Sequence, residues 1–305
     1  MRAAIVRLSA LGDVVCTLPV AGHLKKLDPN TEITWFVDSR FAGIVECCRH
    51  VDHVVTLKRG DKPGPQDPFD VALDMQGLLK SGLIVKSLKA ERKLGYHWQR
   101  EGAQFFSQAV LPDPTSFHIV DQYIDVARAI GTCPDEAADF GLVPREDDRA
   151  AIAEKVSGDY VVLNPGAGWV TKRWPPAYFA RVSEWLRQRG IAPVLIGGKS
   201  ESDFEAFEEV RRETSAELVK LTGETSVRQL VALLAGARAH VGGDTGSTHL
   251  SAALGVPAVG LYSITRPKRS CPYGQVENCL YDESGLSAIS PEAVIGVLER
   301  VLQRP

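Results

Sequence analysis

The sequence predicts an α/β protein of two doubly wound domains with a cleft between them, and three features carry that prediction. Predicted strands alternate with predicted helices through both halves of the 305 residues. The strands are short continuous apolar runs, such as AAIVRL (3–8) and IAPVLIGG (191–198); this suits parallel strands covered on both faces. The alternation stops once, near residue 144, in the charged stretch VPREDDRAAIAEKVSGD, and then begins again. At roughly 100–200 residues per domain, the length agrees with two. They are expected as 1–156 and 157–305, with the last helix free to pack back on the first domain.

In chain order, AAIVRL is a buried strand that runs into the loop SALGD (9–13). VVCTLPVAGHLKKL (14–27) reads as a helix stopped by DPN, with Pro19 either kinking it or marking a late start. EITWFV (32–37) and HVVTL (53–57) are strands around a short helix, RFAGIVECC (40–48). Proline and glycine make DKPGPQDP (61–68) a loop. DVALDM (70–75) is a strand, GLLKSGLIVKSLKA (77–90) a helix, and TSFHIVDQYIDVARAIG (115–131) a helix ended by Gly131. The charged stretch after 144 reads as a linking helix, with EDD (146–148) as solvated charge. YVVLNPGAG (160–168) is a strand entering a glycine loop. PPAYFARVSEWLRQRG (175–190) is a helix opened by two prolines and closed by Gly190. Strands follow at 191–198, ELVKL (217–221), AHVGG (239–243) and VPAVGLY (256–262). Helices follow at SESDFEAFEEVRRE (200–213), SVRQLVALLAGA (226–237) and SPEAVIGVLERVL (290–302), the last with Ser290 as N-cap.

Composition removes several function classes. A formal net charge of -3 argues against a nucleic-acid partner, which favours a basic excess. Six cysteines without a CxxC pair, two of them adjacent (Cys47, Cys48), read as reduced thiols of a cytosolic protein and not as a zinc site. Arg7 and Asp13 interrupt the apolar N-terminal stretch, which makes it a strand and loop, not a secretory signal. No run of about 18 apolar residues offers a bilayer span.

Ligands of doubly wound sheets sit beyond the carboxyl ends of the strands. Three loops there stand out: SALGD (9–13), NPGAGWVTKRW (164–174) and GGDTGSTH (242–249). In the third, a helix starts after Asp244-Thr245. Its free N–H groups and dipole favour a phosphate or diphosphate, Gly246 permits close approach, and Thr245 and Ser247 add hydroxyls. The competing reading is an aspartate N-cap on a small-residue helix. In the second loop, Gly166 brings backbone near a ligand and Lys172 suits a phosphate as a point charge; the competing reading is a solvated lysine. Neither loop has the Walker A pattern, and no GxGxxG follows the first strand. In the first loop, Asp13 is either an N-cap or a carboxylate able to take a proton from a substrate hydroxyl.

Taken together, VRLSALGDVVCTLPV, DMQGLLKSG (74–82), LGYHWQREG (94–102), NPGAGWVTKRWPPAYF (164–179) and GGDTGSTHLSAALGVPAVGLYS (242–263) resemble glycosyltransferase family 9, the ADP-heptose:lipopolysaccharide heptosyltransferases. The resemblance spans essentially the whole chain. LGDVV, DMQGLLKS and GYHWQRE are most similar to heptosyltransferase I, which adds the first heptose to the Kdo-lipid A inner core. It implies the GT-B fold: two facing Rossmann-like domains, acceptor on the first and nucleotide sugar on the second. It implies an inverting transfer from ADP-heptose as substrate, without a cofactor, and Asp13 as general base. No carboxylate pair of DxD type sits at a strand end, and Lys172 with the Thr245-Gly246 amides can meet the diphosphate, so the transfer is expected to be metal-independent. The resemblance places the donor on Lys172, Asp244, Thr245, Gly246 and His249. Gly166 and Thr171 of the second loop are further donor candidates, and Glu201, after the strand at 191–198, is a candidate for the ribose hydroxyls. His249 is equally readable as a packed residue steadying the loop.

The expected acceptor residues are Ser9, Gly12, Lys80, His97 and Arg100, with Arg92 and Lys93 as further basic groups toward an acidic glycolipid. Trp35, Trp98, Trp169 and Trp174 are either stacking surfaces or core. The implied location is cytoplasmic, with transient contact at the inner face of the cytoplasmic membrane. Three other readings stay open: another transferase of the family (a later heptose or a different sugar), a GT-B nucleotide-sugar epimerase, and a noncatalytic nucleotide-binding module.

Overall fold

The computed structural model describes residues 1–133, 137–166 and 173–303, which form two compact units, Met1–Val143 and Pro144–Pro305. Each unit is a six-stranded, all-parallel sheet flanked by helices.

The first unit contains β1 (Arg2–Val6), α1 (Leu11–Leu27), β2 (Glu32–Asp38), α2 (Ala42–Glu46), β3 (His53–Leu57), β4 (Phe69–Asp74), α3 (Leu79–Ser87), β5 (Ala90–Tyr96), β6 (Gln108–Val110) and α4 (Ile119–Arg128). Its strand order is β3-β2-β1-β4-β5-β6. The apolar runs of β1, β2 and β4 are central and almost fully buried. On one face, Val6, Phe36, Ala72, Ile84 and Val85 share a core cluster; elsewhere α1 packs on α4.

The second unit contains α5 (Glu146–Ala153), β7 (Tyr160–Asn164), α6 (Pro176–Arg187), β8 (Ala192–Leu195), α7 (Glu201–Arg212), β9 (Val219–Lys220), α8 (Val227–Ala235), β10 (Ala239–Gly243), α9 (Gly246–Ala253), β11 (Ala258–Tyr262), α10 (Pro267–Ser270), β12 (Cys279–Tyr281) and α11 (Pro291–Leu302). Its order, β12-β11-β10-β7-β8-β9, repeats that of the first sheet. The helix α11 packs on α6 and on β10 and β11, and Val294 and Leu298 join the core of this unit.

Several sequence expectations change. α1 begins at Leu11, so Gly12 and Asp13 belong to its first turn and Pro19 lies in its interior. The strands β5, β6 and β12 were not foreseen. β5 (AERKLGY) carries three charges at its start, and β6 and β12 have three residues each, too few to show a period. The short α10 was also not foreseen. The stretch EDD lies in α5, which packs on α8. Asp148 is buried there, not solvated, 2.9 Å from Arg228 Nε. Trp35 and Trp174 are core residues; Trp98 is exposed, and Trp169 lies outside the described residues.

Candidate active site

In each sheet the strand order reverses once, between β1 and β4 in the first unit and between β7 and β10 in the second. Crevices for ligands open beyond the carboxyl ends at such points. The register places Val6 opposite Asp74 and Asn164 opposite Gly242, so the two sites start at those residues.

In the first unit, the residue after β1 is Arg7, a cation almost entirely buried. Its Nη1 donates to the Met75 carbonyl, and its guanidinium lies 5.2 Å from the centroid of the Tyr123 ring. Its Nη2 lies 2.8 Å from Asp13 Oδ1. The other oxygen of Asp13 accepts the Ala10 N–H at 3.2 Å. Asp13 is therefore fixed from two directions, yet its side chain is 49 % exposed. It is both a helix-capping group and an open carboxylate.

Ser9 sits beside it. Its hydroxyl oxygen accepts from Lys80 Nζ at 3.2 Å and from Gln76 Nε2 at 3.4 Å, while Gln76 Oε1 accepts the Leu8 N–H at 2.9 Å. Asp74 shapes this turn by accepting the N–H groups of Gln76 (3.1 Å) and Gly77 (2.9 Å). Its burial raises the carboxyl above its usual range. Gly77 is required: its φ is +68°, and a Cβ there would lie 2.7 Å from the Trp98 carbonyl oxygen. The Arg100 N–H donates to the Gly77 carbonyl at 2.8 Å, which ties the loop after β5 to the loop after β4. His97, on that loop, meets the Tyr96 ring edge-on at 4.4 Å.

The structure thus brings Ser9, Asp13 and Lys80 together, with Gly12 in the same helical turn, and puts His97 and Arg100 on the adjoining loop. Arg92 and Lys93 instead lie in β5 and donate to the carbonyls of Ala129 and Lys86. Sequence reasoning missed Arg7, Asp74 and Gln76. The available signal was a charge placed inside an apolar strand.

In the second unit, Asn164 ends β7. Its Nδ2 donates to Ser247 Oγ at 2.9 Å and Thr245 Oγ1 at 3.3 Å, and its Oδ1 accepts the Gly166 N–H at 3.1 Å. The first turn of α9 is thereby pinned to the neighbouring strand. Thr245, the N-cap residue, forms no side-chain cap bond; its hydroxyl lies 3.1 Å from Ser247 Oγ and 3.2 Å from Thr248 Oγ1. Ser247 is buried, and its hydroxyl serves Asn164 and His240. This corrects its expected place as a donor to ligand. Gly246 opens the helix, where first-turn amides lack intrahelical partners.

Asp244 lies 3.2 Å from His249 Nε2 through one oxygen and accepts the Thr265 hydroxyl at 3.0 Å through the other. His249 therefore steadies the loop through its aspartate. Glu201 is exposed at the start of α7. Asp203 is the carboxylate nearer the glycine loop: a Cβ on Gly166 would fall 2.7 Å from its Oδ1. Thr171 and Lys172 lie outside the described residues.

His240 is fully buried behind this helix, its Nε2 3.0 Å from Ser247 Oγ. Burial pushes its imidazole down to about 3. Between that value and the ordinary 6.5, the unfolded chain takes up a proton that the folded chain refuses. Stability therefore falls as the pH drops through this window, by about 1.4 kcal/mol per unit once well below 6.5. His240→Asn, compared with the parent chain in thermal melts at about pH 7 and about pH 5, is expected to lose less on acidification. Equal losses would show that His240 is not the acid-sensitive group.

A family model described as glycosyltransferase family 9 (heptosyltransferase) matches residues 65–289. Lipopolysaccharide heptosyltransferase 1 of Pseudomonas aeruginosa is 30% identical over 90% of this chain and 82% of its own length. The crystal structure of a family 9 glycosyl transferase from Veillonella parvula superposes with a TM-score of 0.86 at 21% identity, covering 100% of this chain and 97% of that one. The E. coli heptosyltransferase WaaC, solved with ADP, superposes with a TM-score of 0.81 at 24% identity, covering 99% and 100%. These likenesses show the GT-B fold class, with two Rossmann-like units.

Proposed function

The chain belongs to glycosyltransferase family 9, the heptosyltransferase family, and from that premise we propose that it moves a heptose from ADP-heptose to the Kdo-lipid A inner core of lipopolysaccharide. The observation that carries the proposal for the first unit is the Asp13 carboxylate, clamped by buried Arg7 at 2.8 Å and open to solvent, beside Ser9 and Lys80. In the proposed reaction, the acceptor oxygen attacks the anomeric carbon as Asp13 takes its proton. The bond from that carbon to the diphosphate oxygen breaks, and ADP leaves from the opposite face with inversion. The transition state is oxocarbenium-like, and charge gathers on the leaving diphosphate. Fixed donors aimed at that charge act most strongly in the transition state. The first-turn amides of α9 and Lys172 are the proposed donors, in a transfer that needs no metal ion. WaaC, solved with ADP, supports the choice of nucleotide. The site is proposed to work in the cytoplasm at the inner membrane surface.

The test is ADP release from ADP-heptose, measured with and without de-acylated Kdo-lipid A and repeated in chelator. Release that requires the acceptor and survives chelation is expected. Conversion of the nucleotide sugar without acceptor would point instead to an epimerase, and tight ADP binding without turnover to a binding module. In the same assay, Lys172→Ala is expected to weaken donor binding and slow turnover, together by about tenfold or more in kcat/KM, as for loss of one charge-assisted hydrogen bond. Unchanged kinetics would remove Lys172 from the donor site.

A further inference from the structure

The first unit exposes apolar side chains where its charge is most positive. Leu79 and Leu83 of α3 are 42 % and 48 % exposed, Trp98 is 52 % exposed, and Phe105 is 80 % exposed. The turn Ala103–Phe105 packs on α3. Contact is made at Gly82, where an added Cβ would lie 2.8 Å from Phe106 Cδ2. Helical spacing puts Leu79, Leu83 and Lys86 on the side of α3 that Gly82 presents to this turn. Lys86 confirms the direction, its Nζ lying 5.3 Å from the centroid of the Phe106 ring. The Arg100 guanidinium lies 5.6 Å from the centroid of the Trp98 ring. From 76 to 111 the sequence has six basic residues (Lys80, Lys86, Lys89, Arg92, Lys93, Arg100) and two acidic ones (Glu91, Glu101), in a chain whose net charge is -3.

We propose that this face, built from α3 and the turn docked on it, is a foot that seats the protein on an anionic lipid bilayer. Leu79, Leu83, Trp98 and Phe105 enter the headgroup boundary while Lys86 and Arg100 meet lipid phosphates. Mixed apolar and basic character is what an interfacial surface needs, since it gains from buried area and from anionic headgroups together. In a chain of net charge -3, this stretch carries four more basic than acidic residues, which favours seating by this face of the first unit. A second copy of the chain fits poorly, because a twofold contact would press the same basic stretch against itself. Among the described residues no helix is long and apolar enough to cross a membrane, so the foot rests on the surface. α3 also begins at Leu79-Lys80, where Lys80 reaches Ser9, so the foot adjoins the proposed acceptor site. That last link rests on the heptose-transfer reading; the lipid contact does not.

The test is co-sedimentation with vesicles of phosphatidylethanolamine doped with phosphatidylglycerol, and with vesicles of phosphatidylcholine alone. The parent chain is expected to bind the first at least about tenfold more tightly, with the difference shrinking at high salt. The double variant Leu83→Ser, Phe105→Ser is expected to bind the anionic vesicles about tenfold or more weakly. Both side chains are exposed, so the fold should tolerate it, and its rate on de-acylated, water-soluble acceptor should match the parent. Equal vesicle binding by parent and variant, or no preference for anionic lipid, would overturn the foot. So would a parent dimer in sedimentation analysis that the variant loses. Vesicle binding without transfer to any acceptor would leave the foot standing and defeat the heptose-transfer reading; transfer without vesicle binding would do the reverse.

Discussion

Asp13→Asn is expected to lower kcat by about two to four decades, the range of general-base catalysis. A sugar hydroxyl does not ionise near neutral pH, so its attack gains from concerted proton removal. The substitution separates the base from the structural group it also is. Asparagine keeps one oxygen, which can accept from Arg7 Nη2, now 2.8 Å from the carboxylate; its NH2 then replaces the oxygen that accepts the Ala10 N–H at 3.2 Å, a loss of about 0.5–1.5 kcal/mol. What disappears is the basic oxygen. ADP affinity should stay near that of the parent, measured by titration calorimetry, and melting should show only the small loss from that one contact. Near-normal turnover would mean that Asp13 only caps α1, and the base would have to be sought elsewhere.

The second large effect is expected at Asn164→Asp, where ADP affinity should fall about 100-fold. Asn164 holds Ser247 at 2.9 Å and Thr245 at 3.3 Å, so its side chain lies beside the helix start proposed to receive the diphosphate. A carboxylate there keeps the shape and can still accept the Gly166 N–H and the two hydroxyls. It adds a negative charge at a separation of about 6 Å from phosphate, costing about 3 kcal/mol at an effective dielectric of about 20. Asn164→Leu adds no charge but leaves Ser247 and Gly166 short of a partner, a loss of about 1–3 kcal/mol in stability. Calorimetric titration with ADP and thermal melting tell the two apart. If the aspartate binds ADP as well as the parent does, the diphosphate does not sit at α9.

Much of this was legible from the residues. Continuous apolar strands and glycine-stopped helices set the alternation, and β3 and β10 fall where their runs indicate. The Asp-Thr-Gly turn was recognisable because few reasons place such residues directly after a buried strand. What escaped notice depended on tertiary neighbours. β5 opens with Glu91, Arg92 and Lys93 and becomes a strand by pairing with β4 and β6. Asp13 joins a helix because it accepts the N–H of Ala10, the N-cap of its own turn, and is held by Arg7 from outside that turn. Arg7 and Asp74 look like surface charges on paper and lie in the interior because sixty-odd residues away another strand supplies their surroundings. The Ser247 hydroxyl looked available until His240, seven residues earlier, claimed it.

The strand order found in the first sheet recurs in the second. Such a chain carries the same strand order twice. The two units differ in the loops that follow their strands. Variation confined to segments such as 74–82 and 97–102 alters one copy without disturbing the hydrogen bonds that hold the Asp-Thr-Gly turn in the other. Two units of one strand order can thus diverge in their loops while the architecture stays the same, as the TM-score of 0.86 at only 21% identity to the Veillonella parvula structure illustrates.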